Sequence, residues 1–304
     1  MKCSYCGSSN LQSRGMSVSK LKRRYYCKDC GRYPSYPLFQ LGKADDGNSN
    51  AKVLIYDIET APMIVYTWRL KTDYISPKHV INDIFIISWA AKWLGDNEIM
   101  SDVVTPAETK RRSDKRVVKS FLDLLNEADI VVAHNGDRFD MSILKTRFLE
   151  NGFNPPLPFR SIDTLKSTRR VFGFTSNTLD YLTNKLNIGK KIETNFQLWI
   201  DCSNGIKTAL DEMVTYNRMD VEILEDWYMK IRNWIPNHPN MNMYSDDKNS
   251  VRCPVCSGEI EILNKVVTTK ANSWKTYRCK SCGSTGRTKL NAMTKEEKRF
   301  FIVR

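Results

Sequence analysis

Eight of the nine cysteines in this 304-residue chain fall into four Cys-x-x-Cys pairs, two pairs at each end. Cys3/Cys6 stand with Cys27/Cys30, and Cys253/Cys256 with Cys279/Cys282, about twenty residues apart within each quartet. Two residues between cysteines let both thiolates of a tight knuckle reach one tetrahedral ion, and a second knuckle closes the site. The alternatives are redox-active pairs or disulfides, and two complete quartets at opposite ends fit neither. Two structural Zn²⁺ ions are therefore expected, in four-cysteine ribbons over residues 1–40 and 251–304. Three of the knuckles continue into glycine, which supplies a positive φ at the turn, whereas Ser257-Gly258 shifts that glycine by one. Cys202 is left over and reads as an unpaired, semi-buried thiol.

Between the ribbons lies room for one sizeable domain, expected over 51–235. A polar stretch, 41–50, reads as a linker on one side, and 236–250, with two prolines and several Asn, Asp and Ser, as one on the other. Inside, β-branched and aromatic runs predict strands at 52–58, 63–69, 84–92 and 97–103. Val117, Val118, Phe121, Leu124 and Leu125 recur at helical spacing over 115–127. Ile130–Ala133 reads as a short buried strand, followed by a helix from about Arg138 to Asn151 with Gly152 closing it. A short strand at 161–164, two or three helices and a closing helix from about Lys207 to Trp234 complete the pattern. Strands first, then alternating α and β, then a helix predict an α/β fold: a mixed sheet with helices on both faces.

Acidic residues mark particular places in that pattern. Asp57 and Glu59 lie two apart at the end of the run Val-Leu-Ile-Tyr-Asp-Ile-Glu-Thr, so a strand points both carboxylates to one face. Asp140 ends Ala-His-Asn-Gly-Asp-Arg-Phe-Asp, and Tyr216 and Asp220 lie four apart on the closing helix, again sharing a face. Gathering carboxylates costs repulsion and desolvation, which divalent cations offset. Hard oxygen ligands plus a group to orient water are the inventory of two-metal phosphoryl transfer. His134 adjoins an apolar strand end, which favours a hydrogen-bonded structural role over a ligand or base. Asp137 and Asp163 read as surface or capping residues, Asp163 lying close enough to the site to support it.

The order Asp-x-Glu, Asn-x-x-x-Phe-Asp and Tyr-x-x-x-Asp resembles the three motifs of the DnaQ-like 3′–5′ exonucleases, in the DEDDy subclass whose third motif carries tyrosine. The resemblance spans roughly residues 51–235, and Asp-Ile-Glu-Thr-Ala-Pro followed by a Tyr-Thr-Trp strand resembles the small stand-alone phage and bacterial members. It implies an RNase H-like fold and a divalent-metal-dependent exonuclease that releases nucleoside monophosphates. Asp57 would bridge two Mg²⁺ or Mn²⁺ ions, Glu59 and Asp220 would complete the site of the nucleophile, and Asp140 would reach the second ion. Tyr216 would orient the attacking water; with an ordinary pKa near 10, orientation is a better role than proton removal. Thr60 and Ala61 would offer hydroxyl or backbone contacts to the 3′ end, while Asn135 and Phe139 would shape the pocket for the terminal nucleotide. Lys190 and Lys191, following a glycine, either touch phosphates or form a solvated charge pair.

The chain carries a net charge of +13, and its distribution is uneven. Residues 1–43 hold a net +8 and 248–304 a net +9, leaving the middle at −4. Lys20, Lys22, Arg23 and Arg24 stand beside Tyr25 and Tyr26, and Lys270, Lys275, Arg278 and Lys280 beside Trp274 and Tyr277. Basic residues interleaved with aromatics suit phosphate neutralisation and base stacking; the bland alternative is that they solubilise modules with little core. The first ribbon is also similar to DNA-binding ribbons of some transposases. Nucleic acid is the expected partner, DNA favoured over RNA. With no apolar run of membrane length and no signal peptide, a cytoplasmic protein of a bacterial or phage-infected cell is expected. Two rival readings remain: a structure-selective endonuclease on the same fold, and a ribbon-based DNA-binding factor whose nuclease core is only a scaffold.

Overall fold

The computed structural model describes residues 8–16, 22–30, 35–37, 51–189, 194–247 and 250–300. Two units separate, one from Lys52 to Met229 and one made of the flanking segments. In the first flank, β1 (Leu11–Met16), β2 (Lys22–Cys27) and β3 (Ser35–Pro37) pair antiparallel in that order, with Leu11 opposite Cys27.

The central unit runs through β4 (Val53–Thr60), β5 (Ile64–Val65), β6 (Val80–Asn82), β7 (Ile86–Trp93) and β8 (Met100–Val103). Next come α1 (Pro106–Lys110), α2 (Lys115–Leu125), β9 (Ile130–Ala133), α3 (Asp140–Glu150), β10 (Arg160–Asp163) and α4 (Thr164–Val171). α5 (Leu179–Lys185), α6 (Gln197–Ser203) and α7 (Lys207–Ile231) follow. Among the described residues, five strands form one mixed sheet in the order β10-β9-β4-β7-β8. β4 sits at its centre, parallel to β9 and antiparallel to β7, so the chain crosses over between β4 and β9. β9 is apolar at every position and fully buried, as a parallel strand covered on both faces must be.

α2 lays Val117, Val118, Phe121, Leu122 and Leu125 into the core. The Phe121 ring meets Tyr56 and Trp89 at centroid distances of 5.2 and 5.4 Å, locking this helix against β4 and β7. The expected 124/125 edge of that stripe is rotated slightly: Leu122 is buried and Leu124 only partly so. Asp114, fully buried just before α2, accepts from the Ile86 amide at 2.9 Å and from Arg147 Nε and Nη2 at 2.7 and 2.8 Å. A buried carboxylate needs such a partner, and this one fixes where β7 begins. α3 ends as expected, with Gly152 taking φ +75° just past its last turn.

Only Ile64–Val65 of the predicted 63–69 strand pairs, with β6. Past Val65 one backbone bond follows, from the Tyr66 amide to His79 O, and Tyr66 and Trp68 are exposed, so β-propensity alone does not extend the strand. The second flank continues from α7 through 3₁₀ turns at Arg232–Trp234 and Met241–Tyr244. β11 (Ile260–Thr268), β12 (Ser273–Cys279) and β13 (Thr285–Arg287) then form an antiparallel sheet, followed by α8 (Lys295–Lys298). The stretch expected as a second linker is tied down: Met241 is buried, its amide donates to Pro254 O at 2.8 Å, and Asn242 Nδ2 donates to Arg252 O at 2.9 Å. Among the described residues no helix is long and apolar enough to cross a membrane.

Candidate active site

The carboxylates converge at one end of the central strand. Oxygens of Asp57 and Glu59, from β4, and of Asp220, from α7, all lie within 4.8 Å of one another. A register shift between Glu59 and Thr60 leaves Ile87 of β7 without a partner and bends the ladder where these side chains emerge. Asp140 opens α3 beside them, 3% exposed, and its Oδ1 accepts from the Ile58 amide at 3.3 Å. Burial pushes its carboxyl up to about 7; the Asp140 and Ile58 amides oppose that rise, and the nearby Asp163 charge adds to it. Tyr56, beneath the site, is held far above its ordinary value by burial first and by Asp140 next, so its hydroxyl stays neutral.

Two residues that sequence reasoning missed orient the cluster. Asn217 is buried; its Nδ2 donates to Asp57 Oδ2 at 2.7 Å while its Oδ1 accepts from the Ser88 hydroxyl at 3.2 Å. Its signal was available, because Asn217 and Asp220 are three apart on one helix and share a face. Trp199 on α6 donates its indole N–H to Glu59 Oε2 at 2.9 Å and packs edge-on against Tyr216, with ring centroids 5.6 Å apart. No local spacing announces that contact. Tyr216 is half-buried, and the same indole that bonds Glu59 packs against its ring.

The turn between β9 and α3 is equally constrained. Asn135 takes φ +71°, a conformation asparagine tolerates, and its amide donates to Asp163 Oδ1 at 3.1 Å. Gly136 is required by space, since a Cβ there would lie 2.4 Å from Ala133 Cβ. His134 has both ring nitrogens occupied, by Thr164 Oγ1 and the Asn177 carbonyl at 2.9 Å each. The carbonyl can only accept, so Nε2 carries a proton and the ring is a structural clamp, as its place in the sequence indicated. Asp163 also caps α4 through the Lys166 amide at 3.0 Å. Phe139 stands 44% exposed at the mouth of the site.

Of the other expected contacts, Thr60 is half-buried at the end of β4. Ala61 is fully buried and its amide donates to Phe85 O at 2.9 Å, so a backbone contact from it falls to its carbonyl. Lys190, Lys191, Cys3 and Cys6 lie outside the described residues, as do the side chains of Lys22, Arg23 and Arg24 on β2. Cys27 is buried and Cys30 half-buried; Asn10 Nδ2 bonds Asp29 within their knuckle at 2.9 Å. Cys202 is wholly buried rather than semi-buried, and burial, with Asp201 next, pushes its thiol up to about 12.

The second quartet is assembled. Sγ atoms of Cys253, Cys256, Cys279 and Cys282 gather within 4.8 Å, with Cys253–Cys282 at 3.7 Å and Cys256–Cys279 at 3.5 Å. A tetrahedral Zn²⁺ with bonds near 2.3 Å needs sulfurs about 3.8 Å apart, so the donor set fits that ion. The Val255 and Cys282 amides each donate to a cysteine sulfur at 3.4 Å, as a thiolate ligand requires. The residue after each second cysteine takes the positive φ, Gly283 at +76° and Ser257 at +56°. Gly258 therefore serves space instead of conformation: a Cβ there would lie 2.5 Å from Ser281 Oγ.

The acidic donor set likewise fits a hard cation. Oxygens on one Mg²⁺, with bonds near 2.1 Å, stand about 3–4 Å apart, which three oxygens gathered within 4.8 Å can meet with small rotamer shifts. Residues 80–232, from β6 past the end of α7, match the family RNase_H_2 of the RNase_H superfamily. The chain belongs to the RNase H superfamily. Its mixed five-stranded sheet with flanking helices is the fold of that superfamily. No curated protein matches the chain. Among solved structures, the family B DNA polymerase of the hyperthermophilic archaeon Pyrobaculum calidifontis is similar over 60% of this chain, with 18% identity and a TM-score of 0.45. The match spans 25% of the polymerase chain.

Proposed function

We propose that this RNase H superfamily member is a 3′–5′ exonuclease of the DEDDy type, hydrolysing terminal phosphodiesters of nucleic acid, DNA favoured. The observation that carries the reading is the meeting of Asp57, Glu59 and Asp220 oxygens within 4.8 Å, with Asp140 and Tyr216 on the flanking helices. Asp57, Glu59, Asp220 and Asp140 would hold two Mg²⁺ or Mn²⁺ ions, which when bound supply an activated water and charge stabilisation for in-line displacement. The chain's own residues do the positioning. Asn217 fixes the rotamer of Asp57, Trp199 fixes that of Glu59, and the same indole limits how far the Tyr216 ring can swing. Tyr216 orients the attacking water through its hydroxyl. Phe139 offers an exposed ring to the terminal base, and Thr60 a hydroxyl to its sugar.

The zinc ribbons would grip the strand, because the central segment is net negative while the flanks carry the positive excess. In the second ribbon the Arg287 guanidinium stacks on Trp274 at 3.8 Å, a cation held on an aromatic face. One gel tests the assignment: end-labelled single- and double-stranded DNA and RNA, free or blocked at the 3′ end, with Mg²⁺ or Mn²⁺. Mononucleotides released only from free 3′ ends are the expected result. Internal nicks on circular DNA would instead select the endonuclease reading, and binding without cleavage the scaffold reading.

A further inference from the structure

Between β4, which carries Asp57 and Glu59, and β7, the chain leaves the main sheet as an outgrowth over residues 62–84. β5 and β6 hold its base, Ile64 opposite Asn82 and Val65 opposite Val80, and the Tyr66 amide donates to His79 O at 2.9 Å. Beyond that base, local bonds set the shape. The Thr67 hydroxyl donates to Arg69 O at 2.8 Å, the Thr72 hydroxyl to Tyr74 O at 2.8 Å, and the His79 amide to Ser76 O at 2.8 Å. What this loop does with its large side chains is unusual. Tyr66 is 73% exposed, Trp68 97% and Tyr74 75%. These three rings, with Arg69 and His79, line a cleft of about 430 Å³, room enough for a nucleobase.

A loop that fixes its backbone while leaving its aromatic rings in solvent is built to be covered. The charge around it says by what. Arg69, Lys71 and Lys78 stand exposed, and among the described residues none of them pairs with a carboxylate. Exposed ring faces beside three cations that outnumber the segment's carboxylates, Asp73 and Asp83, match unpaired bases on a phosphate backbone, whereas a duplex keeps its base faces stacked inside. Tyr66 follows Glu59 by only seven residues, so the outgrowth starts within about 25 Å of the carboxylates.

We propose that residues 62–84 form a single-strand platform, on which Tyr66, Trp68 and Tyr74 stack unpaired bases while Arg69, Lys71 and Lys78 meet the phosphates. The proposal rests on the nuclease reading, in that the strand captured is the strand cut. It assigns the chain a preference for single-stranded ends.

The test uses the full chain carrying Trp68→Ala with Tyr74→Ala, and separately Trp68→Phe, with circular dichroism as a check on folding. Affinity for a labelled single-stranded 12-mer is read by fluorescence anisotropy without divalent cation, so nothing is cleaved. The double variant should bind roughly tenfold to a hundredfold more weakly, and Trp68→Phe should keep most of the affinity. Blunt duplex affinity, and hydrolysis of the p-nitrophenyl ester of thymidine monophosphate, too short to reach the platform, should not change. Unchanged single-strand affinity in the double variant would overturn the proposal, and so would an equal loss for blunt duplex. If the wild-type chain cleaves nothing but the anisotropy difference holds, the platform stands and the nuclease reading fails.

Discussion

Asp140 should make the metal-free protein less stable as pH rises, and replacing it with asparagine should remove that dependence. The carboxyl has an ordinary value of 3.8 when exposed and about 7 when buried in the fold, where it is 3% exposed. A native state that holds its proton to higher pH than the unfolded chain is most stable below pH 4, and stability declines as pH rises through 7. Relative to the protonated protein, this carboxyl lowers folding stability by about 1.5 kcal/mol at pH 5 and about 4 kcal/mol at pH 8. The carboxamide of the Asp140→Asn variant would keep the shape and still accept from the Ile58 amide through its oxygen, but it never ionises.

The difference in unfolding free energy between Asp140→Asn and wild type should therefore widen in the variant's favour by about 2.5 kcal/mol from pH 5 to pH 8. Urea unfolding followed by tryptophan emission, in buffer free of divalent cations, measures it. Ribbon contributions are common to both proteins and cancel in the difference. Adding Mg²⁺ should stabilise wild type selectively at pH 8, since the cation binds the ionised native site and not the unfolded chain. A stability difference that is the same at both pH values would refute the assignment of a strained, buried carboxylate, whatever the variant does to activity.

Asp57→Ala should lower hydrolysis on the order of a thousandfold or more, with nucleic-acid affinity retained, whereas Tyr216→Phe should cost no more than about a hundredfold; single-turnover rates separate the two. Asn217→Ala, which frees the Asp57 carboxylate to rotate, should weaken Mg²⁺ dependence and activity by roughly ten- to a hundredfold, seen in a Mg²⁺ titration. Elemental analysis should find about two zinc ions per chain, falling to one in Cys253→Ser; no zinc in the wild type would overturn the ribbon assignment. Replacing Lys22, Arg23 and Arg24 with alanine should flatten the salt dependence of single-strand binding by up to about two units of log–log slope, and an unchanged slope would mean the first ribbon holds no phosphates.

How far the sequence could be read depended on how local the determining contact is. β9 was legible because Ile130-Val-Val-Ala133 is apolar at every position, which only a strand covered on both faces tolerates. The run 63–69 misled for the complementary reason: its β-branched and aromatic residues have strand propensity, yet strand pairing stops at Val65, and the rings of Tyr66 and Trp68 stand in solvent. At the site, Asp57 with Glu59 and Tyr216 with Asp220 were visible because two and four residues are the periods of a strand and a helix. Trp199 was not, since its contact to Glu59 bridges 140 residues of chain; Asn217 shares the helix face of Asp220, but its partner Asp57 lies 160 residues away. The protonation of Asp140 was invisible in the same way. Its residue type announces a ligand, but burial in the fold, with the Asp163 charge adding to it, raises its pKa to the edge of neutrality. Burial keeps this carboxyl partly protonated near neutrality while the site is empty. Metal binding then releases a proton, and metal affinity should climb with pH up to about 7 before levelling.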